Sequence, residues 1–387
     1  MRGHIRERSP GHWAIVIETR DASGKRKRKW HTFRGTKRAA QSRCAELIAE
    51  VTRGTSLDPA KVTLREYLER WLSHTETVVS PRSSECYRET VEYWIVPALG
   101  NVPLAKLTPE QLAQAYADAL ARGGSRGVGL SPVTVGMMHR VLIIALKQAV
   151  VWKLLASSPA AFVKPPRMER KPMKVLDVDH TAALIEFARG RPRMFMPVLF
   201  FVLTGVRRAE VAAIRWNQLD LTAGRLSVSA SIEQTRQGTR EKPPKSGRPR
   251  AITLPSLLVE ELRRHKLRQA EDLLALGVRQ TNETHVCLRQ DDIPWTPHAL
   301  TDAMRRLIRA SGVPHVRPCH GLRHGHATHL LQKNTHVKIV SERLGHANIQ
   351  LTLNTYSHVL PSMQEEAADN IDDAIREALT RGPVAKR

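Results

Sequence analysis

The chain of 387 residues holds four cysteines, and none of them stands in a Cys-x-x-Cys pair. Cys44, Cys86, Cys287 and Cys319 lie far apart. They read as free thiols of a reducing cytoplasm, which excludes a disulfide framework. Long apolar runs are missing too: Phe195–Leu203 and Val141–Leu146 are too short to cross a bilayer. Met1-Arg-Gly-His-Ile is followed by charge, not by the apolar region of a secretory leader. Clustered carboxylates are absent, which argues against a metal-dependent nuclease or transposase. The glycine-rich Gly123-Gly-Ser-Arg-Gly-Val-Gly129 lacks the Gly-Lys-[Ser/Thr] ending and follows no strand, so it is a connector and not a phosphate cradle. Acidic charge is scarce: 37 Asp and Glu face 61 Lys and Arg, a net +24. That surplus favours a polyanion, because each cation set against a phosphate releases condensed counterions. With no amphipathic anchor in view, nucleic acid is preferred to a membrane surface.

What is present is ample for a core. Hydrophobic residues make up 41% of the chain, and its length predicts two or three domains. His12–Thr19 alternates and is rich in β-branched residues, Asp21-Ala-Ser-Gly24 signals a turn, and Lys25–Phe33 reads as a second strand. Thr36 caps a helix with Ala40, Cys44, Leu47, Ile48 and Val51 at helical spacing. The second strand opens on Lys25-Arg26-Lys27-Arg28-Lys29. This run is either a charged edge that discourages strand pairing or a ribbon that contacts a DNA groove. From Thr63 the pattern turns helical. Thr63 and Glu66 form a capping box before Leu64, Tyr67, Leu68, Trp71 and Leu72. Further helices are predicted over about Pro81–Val96, from Thr108, and from Ser131 to about Leu155. Lys164–Lys174 is a basic, proline-rich hinge. Beyond it a helix is expected over Asp177–Arg189, strands over Leu226–Ile232 and Arg250–Leu254 with a polar loop between, and then mostly helix to Tyr356. In the final segment Ile371, Ile375 and Leu379 share one helical face.

The chemistry concentrates between residues 320 and 356. His320-Gly-Leu-Arg323, Leu-Gly-His346 and Asn-Thr-Tyr356-Ser-His supply imidazoles, a guanidinium and a phenol, with Glu342 the single acidic residue in the stretch. Upstream, Thr204-Gly-Val-Arg207-Arg208-Ala-Glu210 sets Arg207 and Glu210 three apart on one helix face. Glu241-Lys242-Pro-Pro-Lys245-Ser-Gly offers a lysine at a β-turn tip, Lys245 in preference to Lys242. Cys319 with His320, His324, His326 and His329 could be drawn as a zinc site, but no standard spacing is met.

Taken together, Arg207, Lys245, His320-x-x-Arg323, Leu-Gly-His346 and Tyr356 resemble, in order and flanking words, the active-site set of the tyrosine recombinases, the phage integrase family. The resemblance covers nearly the whole chain. It departs at Gly321, where the family commonly has Asp, and at Gly325-His326, where Thr-Phe is usual. It implies a mainly α protein with small β elements: a three-stranded β-plus-helix arm-type DNA-binding domain (1–56), a four-helix core-binding domain (62–165), a mixed α/β catalytic domain (173–361) and a tail for protomer docking (362–387). It also implies a site-specific recombinase in which Tyr356 attacks a DNA phosphate and forms a 3′-phosphotyrosyl bond. His320 would be the base and Lys245 the acid, with Arg207, Arg323 and His346 on the phosphoryl oxygens. No metal or other cofactor is expected. The expected partners are double-stranded attachment-site DNA, a homotetramer, a DNA-bending factor and an excisionase. The expected setting is the cytoplasm, and the expected task is integration and excision of a prophage or another integrative element. The alternatives are a non-catalytic DNA-binding regulator, and a conjugative-transposon integrase or dimer resolvase with the same chemistry. The N-terminal β unit speaks against the dimer resolvase.

Overall fold

The computed structural model describes every residue except 1, 21–25, 53–61, 125–126, 169–172, 245–246, 248, 291, 357–361 and 381–387. Two compact units divide the chain, Met1–Glu169 and Arg170–Arg387.

The first unit begins with an antiparallel sheet, β1 (Arg2–Ser9), β2 (His12–Arg20) and β3 (Arg26–Arg34), in the order β1-β2-β3. Helix α1 (Lys37–Thr52) follows, with Thr36 Oγ1 accepting from the Ala39 amide at 3.3 Å. Ile15 and Ile17 of the central strand pack with Cys44 and Leu47 of α1 in a small core. Of the basic run, Lys25 lies outside the described residues, while Arg26–Lys29 fall in β3. Arg28 is exposed and donates to Glu18, its register partner on β2, at 2.6 Å.

Helices α2 (Leu64–Thr75), α3 (Pro81–Thr90), α4 (Val96–Leu99), α5 (Pro109–Arg122) and α6 (Pro132–Val151) build the second core. The capping box at Thr63 and Glu66 is formed, and a second one joins Thr108 to Gln111. The helix expected to run unbroken from Pro81 to Val96 is interrupted by a π-helical turn at Val91–Ile95. Pro97 brings no amide to the helical ladder, and a wider turn just upstream is one way to take up that loss. Helix α6 is long and apolar enough to span a membrane by length and composition, but Val135, Met138, Val141, Leu142, Ala145 and Leu146 are buried in this core.

The second unit starts with α7 (Val178–Arg189), capped by Asp177, and the apolar α8 (Pro192–Thr204). The short α9 (Arg208–Val211) leads to small antiparallel sheets. One joins β4 (Leu219–Asp220), β5 (Arg225–Val228) and β8 (Arg250–Thr253). Another is the hairpin β6 (Ser231–Thr235) and β7 (Gly238–Lys242), where the sequence suggested a polar loop. Next come α10 (Ser256–Ala275), the β9 (Leu288–Gln290) and β10 (Ile293–Pro294) pair, α11 (Pro297–Ala310) and α12 (His320–Gln332). Finally α13 (Val337–Leu344), α14 (Ile349–Tyr356) and α15 (Ser362–Thr380) close the described chain. Phe200 and Phe201 of α8 are fully buried in the core of this unit, which anchors the end of α8 and so the loop that carries Arg207.

Candidate active site

Two helix ends built on glycine shape the site. Helix α8 stops at Gly205, whose φ of 65° lies in the left-handed region. A Cβ at this position would sit 2.6 Å from His326 Cδ2, so only glycine fits. Helix α13 stops the same way at Gly345, φ 66°. There the Gly345 amide donates to Glu342 and the His346 amide to Ser341, the paired bonds of a Schellman stop. Leu-Gly-His is thus a helix terminus that turns its last carbonyls inward and drops His346 beside them.

Those carbonyls hold the arginines. Arg323, only 5% exposed, donates from Nη1 to Gly205 O at 2.6 Å and from Nη2 to Leu344 O at 2.8 Å. Arg207 donates from Nη2 to Gly345 O at 2.7 Å and from Nη1 to Glu210 at 2.9 Å. Glu210, 1% exposed, also accepts both terminal nitrogens of Arg250, at 3.0 and 2.7 Å. Arg250 in turn donates from Nε to the Arg343 carbonyl at 3.1 Å. One buried carboxylate therefore braces two guanidiniums and, through them, the α13 terminus.

Burial, then the nearby Arg207 charge, lowers the Arg323 guanidinium to about 9, which still leaves it a cation at neutral pH. Burial pushes the Glu210 carboxyl up. The hydrogen bonds and charge of Arg250, with those of Arg207, more than reverse this, so it lies below the ordinary carboxylate value. A carboxyl lowered by folding contributes stability above its unfolded pKa, and that stability is lost as pH falls through the folded value. Glu210→Gln keeps the shape and removes the charge. Leaving a buried ion pair half-made costs about 3–5 kcal/mol. The variant should melt well below the parent at neutral pH, and the gap should narrow in acid. An unchanged gap down to the acid end of a calorimetric pH series would contradict this.

Arg207, Arg323, His320 and His346 line one cleft of about 770 Å³, together with Arg208, Thr301, Cys319 and Leu351. Cys319 has φ 58° and ψ −57°, and the His320 amide donates back to Pro318 O at 2.5 Å. This tight turn starts α12 and sets His320 at its first position. The His346 imidazole shares a 2.8 Å hydrogen bond between Nδ1 and the Thr352 hydroxyl of α14. Burial, then the charges of Arg323, Arg207 and Arg250, bring it down to about 4. His320 is lowered as well, by burial and then by Arg323.

The structure brings Arg207, His320, Arg323 and His346 together and sets Tyr356 apart from them. Tyr356 is 2% exposed, packs with Ala327, Leu331, Val340 and Leu344, and is not among the residues lining the cleft. Its hydroxyl lies 2.7 Å from His324 Nδ1, and His324 Nε2 lies 3.1 Å from His320 Nε2. Burial raises the phenol, with the Arg323 charge pulling the other way. Lys245 lies outside the described residues.

Sequence reasoning missed two members of this assembly. It offers His324 only as a zinc ligand, although a position four residues after His320 puts both on one face of α12. Arg250 opens a strand, and nothing local links it to Glu210. The other histidines of α12 have partners of their own: His326 Nδ1 meets Val202 O at 2.8 Å and His329 Nε2 meets Leu176 O at 2.9 Å. At the Gly325-His326 departure, His326 also accepts from Arg343 Nε at 3.1 Å and packs beneath Gly205, so it supports the loop that holds Arg323.

Together, the anchored guanidiniums and neutral imidazoles around one cleft, and the phenol behind them, define a site suited to a phosphoryl group. Comparison with known proteins gives the family. The profile of the phage integrase family matches residues 174–363, and that of the phage integrase N-terminal SAM-like domain matches residues 63–120. A tyrosine recombinase XerC-like protein of Caldanaerobacter subterraneus is 26% identical over 92% of this chain and 94% of its own. The ICEBs1 integrase of Bacillus subtilis is 26% identical over 64% of this chain and 67% of its own. Among solved structures, the Tn1549 transposon integrase in complex with a circular intermediate DNA superposes with a TM-score of 0.68 at 18% identity, covering 80% of this chain and all of that one. A lambda integrase tetramer bound to a Holliday junction gives 0.54 at 17% identity, covering 89% and 95%. These superpositions show a shared fold. The chain belongs to the phage integrase family and is a tyrosine-type site-specific recombinase, an enzyme of DNA strand cleavage and religation.

Proposed function

We propose that this recombinase cuts DNA by joining Tyr356 to the 3′ side of the broken strand and expelling a 5′-hydroxyl. Arg207 and Arg323 hold the two non-bridging oxygens through charge-assisted hydrogen bonds. They take the part that Mg²⁺ plays in other phosphoryl-transfer enzymes, where stabilising charge is the main task. The observation that carries this reading is the cleft itself, where two guanidiniums anchored on backbone carbonyls converge with His320 and His346. With the Thr352 hydroxyl donating to Nδ1 of His346, the imidazole proton sits on Nε2, which donates to the same oxygens. His320 is the base, Lys245 the acid for the leaving oxygen, and the chemistry uses neither metal nor nucleotide. The basic run Lys25–Lys29 contacts DNA, and residues 1–56, 62–165 and 173–361 act as arm-type, core-binding and catalytic domains.

The substrate on this reading is double-stranded attachment-site DNA, bound by a homotetramer and assisted by a DNA-bending factor and an excisionase, in the cytoplasm. Ile371, Ile375 and Leu379 are exposed on α15, which supports residues 362–387 as a protomer-docking tail. The likeness to the ICEBs1 integrase supports an integrative element beside a prophage as the DNA served.

The test is a nicked substrate that traps the cut state because a short fragment diffuses away. Incubated with the full chain in EDTA, it should yield a protein–DNA adduct that survives SDS and disappears on proteolysis. Cleavage that stops without added metal would contradict the arginine account.

A further inference from the structure

The imidazole in hydrogen-bond contact with the phenol of Tyr356 is not the one expected to be its base. His320 lies in the cleft, while His324, one turn further along α12, stands between it and Tyr356. The contacts form an unbroken line: Tyr356 Oη to His324 Nδ1 at 2.7 Å, then His324 Nε2 to His320 Nε2 at 3.1 Å, with the two rings at 89°. A hydroxyl that donates to Nδ1 leaves the His324 proton on Nε2. That proton then points at the lone pair of His320 Nε2, so one choice of tautomers satisfies both contacts.

We propose that His324 is a catalytic proton acceptor, taking the phenolic proton of Tyr356 at Nδ1 and passing its own Nε2 proton to His320. The inference rests on Tyr356 being the nucleophile, as proposed above. The step balances. Oη loses its proton to Nδ1, and His320 gains one at Nε2 and becomes an imidazolium. The phenolate, drawn by the Arg207 and Arg323 charges, advances to phosphorus and forms the Oη–P bond. The P–O5′ bond breaks, its electron pair stays on the 5′-oxygen, and that oxygen takes a proton from the acid assigned to Lys245. Religation runs the same path backwards.

The surroundings suit the task. Both imidazoles are held neutral, and therefore able to accept, by burial first and then by neighbouring cations. The titratable groups facing His324 are His320 and Arg323 of α12, Arg317 in the turn before it, His346 after α13 and Tyr356 of α14. A phenol whose pKa is raised by burial cannot ionise alone near neutral pH, so a group in contact with it has to take its proton.

The test is the rate of adduct formation on the nicked substrate by the full-length chain. His324→Ala should bind DNA as the parent does and react about 10²-fold or more slowly at neutral pH. Its rate should climb steadily with pH, and added imidazole should restore part of it by occupying the vacated space. His324→Asn keeps an acceptor and much of the packing but cannot relay a proton. It should be equally slow and insensitive to imidazole, and it carries the test if the alanine variant does not fold. Parent-like or faster rates in either variant at neutral pH would overturn the inference, and so would a slow alanine variant with the parent's pH profile and no imidazole response. Tyr356→Phe, run in parallel, separates the two claims. An adduct from that variant sinks the nucleophile assignment itself, whereas an inert Tyr356→Phe beside normal His324 variants sinks the relay alone.

Discussion

Tyr356→Phe is expected to bind its DNA as the parent does and to form no adduct at all. The ring is buried among Ala327, Leu331, Val340 and Leu344, and phenylalanine preserves that packing. The substitution removes the hydrogen bond to His324. A hydrogen bond of this kind is worth about 1 kcal/mol, so the fold should survive the change. The chemistry should not, because covalent catalysis needs the oxygen that phenylalanine lacks. Because the tyrosine lies outside the cleft, replacing it should leave phosphate binding untouched. A band-shift titration alongside the adduct gel reads both sides. Loss of binding in proportion to loss of adduct would mean that Tyr356 supports the DNA surface and is not the nucleophile.

Arg323→Lys should lose cleavage by about 10²–10³-fold while binding changes little, since a group aimed at developing charge acts mainly in the transition state. Lysine keeps a cation but not the planar fork that reaches both the Gly205 and Leu344 carbonyls. Both carbonyls face inward from glycine-built helix ends, so the change loosens the α8 and α13 termini together. Arg323→Ala removes the charge as well and should be worse in both stability and rate. In kinetic terms kcat should fall with KM nearly unchanged. A KM effect alone would make Arg323 an ordinary phosphate contact.

Much of this site is legible in the sequence because its parts are local. Thr-Gly-Val-Arg and Leu-Gly-His are helix stops, and a left-handed glycine followed by a cation or an imidazole can be read from adjacent letters. The same holds for the capping boxes at Thr63 and Thr108, where cap and third residue are three apart. What could not be read depends on partners distant in the chain. Arg250 joins Glu210 across forty positions, and only the fold brings them together. The β6–β7 hairpin was hidden for a related reason. Glu233 is buried there, but only because Arg240 and Lys242 on the facing strand pair with it, so its polar letters read as a loop. The resting place of Tyr356 is a packing outcome as well. Its letter neighbours suggest a nucleophile, while the apolar sides of α12 and α13 decide where the ring lies in this structure.

The most direct measurement is to find the atom that carries the DNA. Adduct trapped on the nicked substrate in EDTA is digested with protease and nuclease, and the modified peptide is sequenced by mass spectrometry. The residual nucleotide should sit, through a 3′-phosphate, on the peptide containing Tyr356 and on that residue alone. A nucleotide on any other side chain, or cleaved DNA with no protein attached, would contradict the account.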